Sequence, residues 1–258
     1  MLLKFKSACS DKKIYLICFH HAGGTAYSIY PMIKFLKNIP ELEILSYEFQ
    51  GRGKRSSENL CGNFSEIHNE VINCLNRELD KVSPRIFLGH SMGGIFAYEY
   101  LKQNKTVGVQ QGLIISSKLP PICQYLQKIY TPAMKKQDFL NIITEFGGIE
   151  NEILDNEELI DYFLPILRND FNLVYDYESN FIDPCIVKIN ADILAIYGIN
   201  DKFVTSNDIK MWQNYSDLNC KILALKGEHF NFKDNENISL LQNEIQKFFN
   251  IPYLHKLN

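Results

Sequence analysis

Short, almost continuously apolar runs recur along this chain, and their alternation with helical patterns is the feature that most constrains its fold. Runs of this kind, rich in β-branched and aromatic residues, are typical of strands buried on both faces of a parallel sheet. Between them lie helical patterns, such as the one in which Ile67, Val71 and Cys74 share a face. The alternation predicts an α/β domain with a mostly parallel central sheet flanked by helices. The predicted strands are residues 2–6, 13–19, 42–49, 85–89, 112–117, 192–198 and 221–227.

The alternation stops between two of these strands. From about Lys118 to Ile189 the sequence contains helical patterns but no evident strand. Such a segment indicates either a helical lid inserted into the domain or extra helices that thicken one face of the sheet. We expect a single domain over residues 1–258 with an inserted helical lid at about 118–189. Gly147 and Gly148 are expected to act there as a hinge, because glycine gives the backbone freedom.

Composition excludes several classes of function. The formal net charge of −3 leaves no basic excess for a nucleic-acid binder. The seven cysteines include no Cys-x-x-Cys pair, so neither a metal site nor a redox motif is indicated. No apolar run is long enough to span a bilayer. We therefore expect a cytoplasmic protein with reduced thiols, no metal, and no membrane or nucleic-acid partner.

The segment Gly89-His90-Ser91-Met92-Gly93 follows one predicted strand and precedes a predicted helix. A Gly-x-Ser-x-Gly sequence in this context is typical of a nucleophile elbow, a sharp turn that exposes the serine hydroxyl. The amide of the next residue, Met92, then points toward the same place as the hydroxyl. The pattern predicts Ser91 as a nucleophile.

A serine needs a base, and the base needs an orienting group. Asp201 and His229 follow Ser91 in the chain order expected for such a site, and each comes just after a predicted strand. Because the carboxyl ends of parallel strands meet at one edge of a sheet, we expect all three side chains to lie together. The other candidate acids are Asp170, Asp192 and Asp208, and the other histidines are His20, His21, His68, His90 and His255.

A second oxyanion donor is expected from the loop after an early strand. The glycine-rich segment from Cys18 to Ser28 occupies that place, where Gly23 and Gly24 would let the backbone lie close to the site. An ordinary strand-to-helix turn is the alternative.

These motifs together resemble the type II thioesterases, the stand-alone α/β-hydrolases that accompany nonribosomal peptide and polyketide synthases. The resemblance extends over nearly the whole chain. The matching segments are Phe19 to Gly24, Gln50 to Gly53, Gly89 to Gly93, Leu164 to Asp170, Gly198 to Asp201 and Gly227 to Phe230. His20 and Gln50 each replace a proline of the family pattern, which relaxes the rigidity of two loops.

The resemblance implies an α/β-hydrolase fold, Ser91 as nucleophile, His229 as base and Asp201 as its orienting acid. It also implies that the backbone amides of Ala22 and Met92 form the oxyanion hole. No cofactor is implied, because the substrate itself carries phosphopantetheine.

The implied activity is hydrolysis of acyl or aminoacyl groups from the phosphopantetheine arm of acyl or peptidyl carrier protein domains, by a monomer that edits stalled synthases. The residues alone indicate only a serine acyl hydrolase with a helical lid. The alternatives are a small-molecule carboxylesterase, an acyltransferase and, more remotely, a non-catalytic carrier-protein binder.

Overall fold

A computed structural model describes residues 1–106, 108–149, 151–180 and 186–251. In this part of the chain the strands form one sheet in the order β1-β3-β2-β4-β5-β6-β7, with β1 antiparallel to β3 and the other neighbours parallel. The strands are β1 Leu2–Lys6, β2 Ile14–Phe19, β3 Leu42–Tyr47, β4 Arg85–His90, β5 Gln111–Ser116, β6 Asp192–Gly198 and β7 Cys220–Leu225. Each predicted strand is confirmed to within two residues at either end.

The helices cover both faces of this sheet. They are α1 Tyr30–Ile33, α2 Phe64–Glu78, α3 Met92–Gln103, α4 Lys136–Phe146, α5 Asn151–Leu154, α6 Glu157–Ser179, α7 Ser206–Ile209 and α8 Asn235–Phe248. The mixed, mostly parallel sheet between helical layers confirms the predicted α/β-hydrolase fold.

The sequence from Tyr27 to Asn38 has the apolar pattern of a helix, but in the structure it is broken into short pieces. A 3₁₀ turn at Ala26–Ile29 precedes the single turn of α1, and a second 3₁₀ segment follows at Lys34–Asn38. Pro31 lies in the first turn of α1. A continuous helix from Tyr27 would need an N–H at Pro31, which proline lacks, so the helix starts afresh there.

Each face of the sheet buries its own apolar cluster. On β2, Ile17 packs into the cluster with α2, α3 and α6, whereas Leu16 and Cys18 pack into the cluster with α1 and α8. Successive residues of a strand point to opposite faces. Because both faces are covered, both sets of residues are apolar, which explains the continuous runs in the sequence.

Helices α4, α5 and α6 lie between β5 and β6, and the described residues of this insertion contain no strand. The C-terminal half of α6 is bonded to the body of the domain. The Tyr177 hydroxyl donates to Glu99 of α3 at 2.7 Å, and Asp176 accepts from the Phe64 amide of α2 at 3.2 Å. No helix within the described residues is long and apolar enough to cross a membrane.

Candidate active site

Ser91 lies at the turn between β4 and α3. Its backbone has φ 51° and ψ −119°, a conformation that non-glycine residues rarely adopt. The Ser91 amide donates to the Ser116 carbonyl at 2.8 Å, and the Ser91 carbonyl accepts from the Gly94 amide at 3.0 Å. These two bonds stabilise an unfavourable backbone at the one residue whose side chain the turn exposes.

Two glycines make this turn possible. A Cβ on Gly89 would lie 2.3 Å from the Gly93 carbonyl oxygen, and a Cβ on Gly93 would lie 2.2 Å from the Phe19 carbonyl oxygen. Backbone atoms cannot move away as a flexible side chain can. Only glycine therefore fits at either position, and the close approach brings β2, β4 and α3 together around Ser91.

Asp201 and His229 lie together just beyond the carboxyl ends of β6 and β7. His229 Nδ1 is 2.9 Å from Asp201 Oδ2, and both side chains are buried. An ionised carboxylate only accepts, so Nδ1 carries the proton and Nε2 keeps its lone pair. Within the described residues, His229 Nε2 has no hydrogen-bond partner, and His229 and Ser91 line the same cavity.

The two loops that carry the acid and the histidine are held against each other. The Asn200 amide donates to the Gly227 carbonyl at 2.9 Å, and the Ser117 hydroxyl donates to the His229 carbonyl at 2.9 Å. The second Asp201 oxygen accepts from the Phe203 amide at 2.9 Å. These hydrogen bonds thus fix the spacing of the pair.

The other candidate acids are engaged elsewhere. Asp192 begins β6 and accepts from the Asn219 side chain, and Asp208 is bonded to the Thr205 hydroxyl. Asp170 forms an ion pair with Arg52.

Of the other histidines, His68 lies on α2 and His255 lies outside the described residues. His90 is fully buried, with Nδ1 3.0 Å from the Ser116 hydroxyl and its ring centroid 5.3 Å from that of His229. Burial lowers the pKa of His90 well below its usual value, so this ring stays neutral beside His229.

The predicted oxyanion loop is fixed by an arrangement that sequence reasoning missed. Asp170, on α6, accepts from the Gly23 amide at 2.7 Å and receives both terminal nitrogens of Arg52. From the sequence, Asp170 is only an alternative acid for the histidine. A signal for this role was available, because Arg52 and Asp170 both lie in motifs that carry the family resemblance but include none of the three predicted catalytic residues.

A cavity of about 260 Å³ opens over these residues. The cavity is lined by Ser91, His229, Ala22 and Met92. Of the predicted site residues, Asp201 alone is buried behind the cavity wall and does not line it. The amide of Met92 is in the first turn of α3, where no carbonyl of its own helix can accept from it.

The rest of the cavity wall is mostly apolar, with an ion pair between Lys118 and Glu178 at 2.9 Å. The apolar side chains that the helical insertion contributes include Ile143, Phe146, Ile149, Phe163, Leu167, Phe171 and Val174. A cavity of this kind favours an acyl chain over a charged substrate. No cluster of His, Cys, Asp or Glu suited to a metal ion occurs among the residues that the structure describes.

Gly147 and Gly148 are expected from the sequence to form a hinge, but the structure also requires a glycine at each position for another reason. Gly147 ends α4 with φ 72°, the left-handed conformation that favours glycine at a helix C-terminus. A Cβ on Gly148 would lie 2.6 Å from the ring of Phe230. The pair therefore serves helix termination and close packing, and substitutions there would disturb both as well as any hinge motion.

Comparison with known proteins places this geometry in a family context. The family described as "Thioesterase domain" matches residues 15–248. The human medium-chain S-acyl fatty acid synthase thioesterase is 28% identical over 236 residues, 90% of this chain and 86% of the relative. The gramicidin S biosynthesis protein GrsT of Aneurinibacillus migulanus is 26% identical over 226 residues, 86% of this chain and 84% of the relative.

A solved structure shares the fold of this chain over nearly the full length of both proteins. YbtT, titled a type II thioesterase from the yersiniabactin biosynthetic pathway, superposes with a TM-score of 0.79 at 21% identity. The match covers 97% of this chain and 98% of the other.

Proposed function

We propose that this chain, which belongs to the thioesterase domain family, releases acyl or aminoacyl groups from the phosphopantetheine arm of carrier proteins. It would thereby regenerate stalled nonribosomal peptide or polyketide synthases. Its similarity to the gramicidin S biosynthesis protein GrsT and to the human S-acyl fatty acid synthase thioesterase supports this substrate class. Two observations together carry the proposal. His229 and Asp201 form a hydrogen bond of 2.9 Å, and His229 lines the same apolar cavity as Ser91 with its strained backbone.

The mechanism follows from the roles proposed for the site. His229 Nε2 takes the proton of the Ser91 hydroxyl as its oxygen attacks the thioester carbonyl. The amides of Ala22 and Met92 stabilise the negative charge on the carbonyl oxygen. His229 then returns the proton to the leaving thiolate, so the pantetheine thiol departs and an acyl-serine remains. A water molecule, activated by the same histidine, hydrolyses the acyl-serine and regenerates Ser91.

The helical insertion from Lys118 to Ile189 acts in this proposal as the lid of the acyl pocket. Phe146, Phe163 and Leu167 face the cavity, so they would contact the acyl chain and exclude bulk water. The enzyme acts as a cytoplasmic monomer without a cofactor, and its partner is a carrier protein domain.

A substrate panel tests the proposal. The enzyme would be assayed against acyl-loaded carrier proteins, acyl-coenzyme A thioesters and simple esters, with Ser91→Ala as the inactive control. We expect kcat/KM to be highest for the carrier-bound thioesters, and a fluorophosphonate to label only the peptide that contains Ser91. Preference for simple esters would indicate a carboxylesterase, and acyl transfer to an added amine in place of hydrolysis would indicate an acyltransferase. Either result would overturn the proposal.

A further inference from the structure

His20 occupies the position at which the resembling family has proline, and its contacts are unusual for a loop residue. Its side chain is fully buried at the carboxyl end of β2. Its Nδ1 lies 2.7 Å from the backbone carbonyl oxygen of His21. A carbonyl oxygen can only accept, so Nδ1 must be the donor and must carry the proton.

The carbonyl that His20 contacts belongs to the peptide group between His21 and Ala22. The same carbonyl also accepts from the Gly24 amide at 3.1 Å. In a planar trans peptide the C=O and N–H point in opposite directions. Two donors on the His21 oxygen therefore determine the direction in which the Ala22 N–H points.

The two hydrogen bonds also affect the strength of that donor. Withdrawing electron density at the carbonyl oxygen polarises the peptide and makes its N–H a better donor, an effect that is larger where the local dielectric is low. The His21–Ala22 peptide lies at the wall of the cavity that contains Ser91. Its orientation and its polarisation both bear on an oxyanion that forms there.

We propose that His20 is a positioning residue, whose Nδ1–H orients and polarises the His21–Ala22 peptide so that the Ala22 amide serves as an oxyanion donor. The inference rests on the role proposed above for Ala22. A proline at this position could not donate to the His21 carbonyl, because proline restricts the backbone but has no side-chain donor.

The surroundings of His20 hold its ring in this orientation. The ring packs edge-on against Phe49 with centroids 4.9 Å apart, whereas Nε2, at 3.9 Å from Glu48 Oε1, makes no hydrogen bond to that oxygen. That same Glu48 oxygen accepts from the Ala26 amide at 3.0 Å, further along the loop. Burial lowers the pKa of His20 well below its usual value, so the ring is neutral and its single proton is available for the His21 carbonyl.

Two substitutions separate the donor from the volume of the side chain. His20→Asn keeps an N–H donor close to the position of Nδ1, whereas His20→Leu fills the space without a donor. We expect His20→Leu to lower kcat for a small activated ester by about tenfold with little change in KM, which is less than the loss of a whole oxyanion donor. His20→Asn should remain within about threefold of the parent enzyme. A matched control is His68→Leu, which removes a buried histidine on α2, away from the cavity.

The same variants give two further readouts. The rate of labelling by a fluorophosphonate should fall in His20→Leu and not in His68→Leu, because the phosphoryl oxygen occupies the oxyanion position. Long-range ¹H–¹⁵N correlation on the parent enzyme should show His20 as the Nδ1–H tautomer. Thermal denaturation would establish that each variant is folded.

Three results would overturn the inference: parent-like kcat in folded His20→Leu, equal losses in His20→Leu and His20→Asn, or an Nε2–H tautomer at His20. These results are independent of the natural substrate, because any serine hydrolase with this site turns over an activated ester. If the enzyme does not hydrolyse carrier-bound thioesters in the substrate panel, the proposed function is contradicted. The activities of the His20 variants on the activated ester can still be compared in that case.

Discussion

The two proposed oxyanion donors line one cavity and are held in place by different physical means. The Met92 amide is fixed by close backbone packing, because Gly89 and Gly93 leave no room for a Cβ. The Ala22 amide belongs to a loop that is held in place by hydrogen bonds to side chains. Asp170 on α6 accepts from the Gly23 amide, and His20 lies 2.7 Å from the His21 carbonyl.

This difference has a consequence for how each donor can fail. Gly89 and Gly93 tolerate no added atom, since a Cβ would meet backbone atoms of α3 at Gly89 and of the end of β2 at Gly93. The oxyanion loop depends on a buried ion pair with one partner, Asp170, in the helical insertion. The insertion therefore reaches the chemistry through the loop as well as through the cavity wall.

The largest expected effect comes from placing a methyl group in the elbow. In Gly93→Ala the new Cβ would lie 2.2 Å from the Phe19 carbonyl oxygen and 2.8 Å from that of His20. We expect a lower melting temperature and a loss of esterase activity of more than about 100-fold, as for a displaced oxyanion donor. Gly94→Ala is the matched control, because its Cβ would first meet a side-chain atom of Lys118 at 3.3 Å. Equal activities in the two variants would show that the elbow is not sterically fixed.

The next effect concerns the ion pair beneath the oxyanion loop. Asp170→Leu leaves the buried Arg52 guanidinium without its carboxylate, which should lower the free energy of unfolding by about 3–5 kcal/mol. Adding Arg52→Leu removes the unpaired charge, so the double variant should regain stability in urea denaturation but not activity, since the Gly23 amide still lacks its acceptor.

The exposed pair between Lys136 and Asp161 serves as a control for this measurement. Asp161→Leu should leave stability nearly unchanged, because exposed ion pairs contribute little. Recovery of full activity in the double variant at Arg52 and Asp170 would mean that the pair has no part in holding the loop.

For each residue concerned, a smaller effect is expected from pH, and it involves both regions. His90 in the elbow and His20 in the loop are buried with lowered pKa values, and burial lowers the pKa of His68 on α2 to about 4. Below about pH 6.5 the unfolded chain binds protons at these residues and the folded protein does not. The free energy of unfolding should therefore be flat above pH 7 and fall as the pH drops from 6.5 toward 5, by up to about 1.4 kcal/mol per pH unit for each histidine.

Denaturation at several pH values checks this expectation. His90→Asn and His20→Asn should each reduce the slope by a similar amount, and His68→Asn should do so without affecting either donor. An unchanged slope in one of the two regions would show that its histidine binds protons equally in the folded and unfolded states, so that folding does not lower its pKa.

Much of the fold could be predicted because it follows from local patterns. The strands were recognisable from their continuous apolar runs, and the elbow from glycines whose spacing only a tight strand-to-helix turn requires. The proximity of Asp201 and His229 followed from their places after two parallel strands. The break at Pro31 was missed because the apolar pattern around it is helical, although a proline cannot continue the hydrogen bonds of a helix that begins before it.

What the sequence alone determined about this protein is its α/β sheet, the order of its elements with a helical insertion, and the residues at the strand ends. These depend on periodicity and on local backbone geometry, which neighbouring residues encode. Only the tertiary structure brought Asp170 to Arg52 and Gly23, 118 and 147 residues apart along the chain, and placed Glu48 beside His20. Contacts of this kind arise when packing removes polar groups from water and each must find a partner. No local pattern specifies which distant residue that partner is.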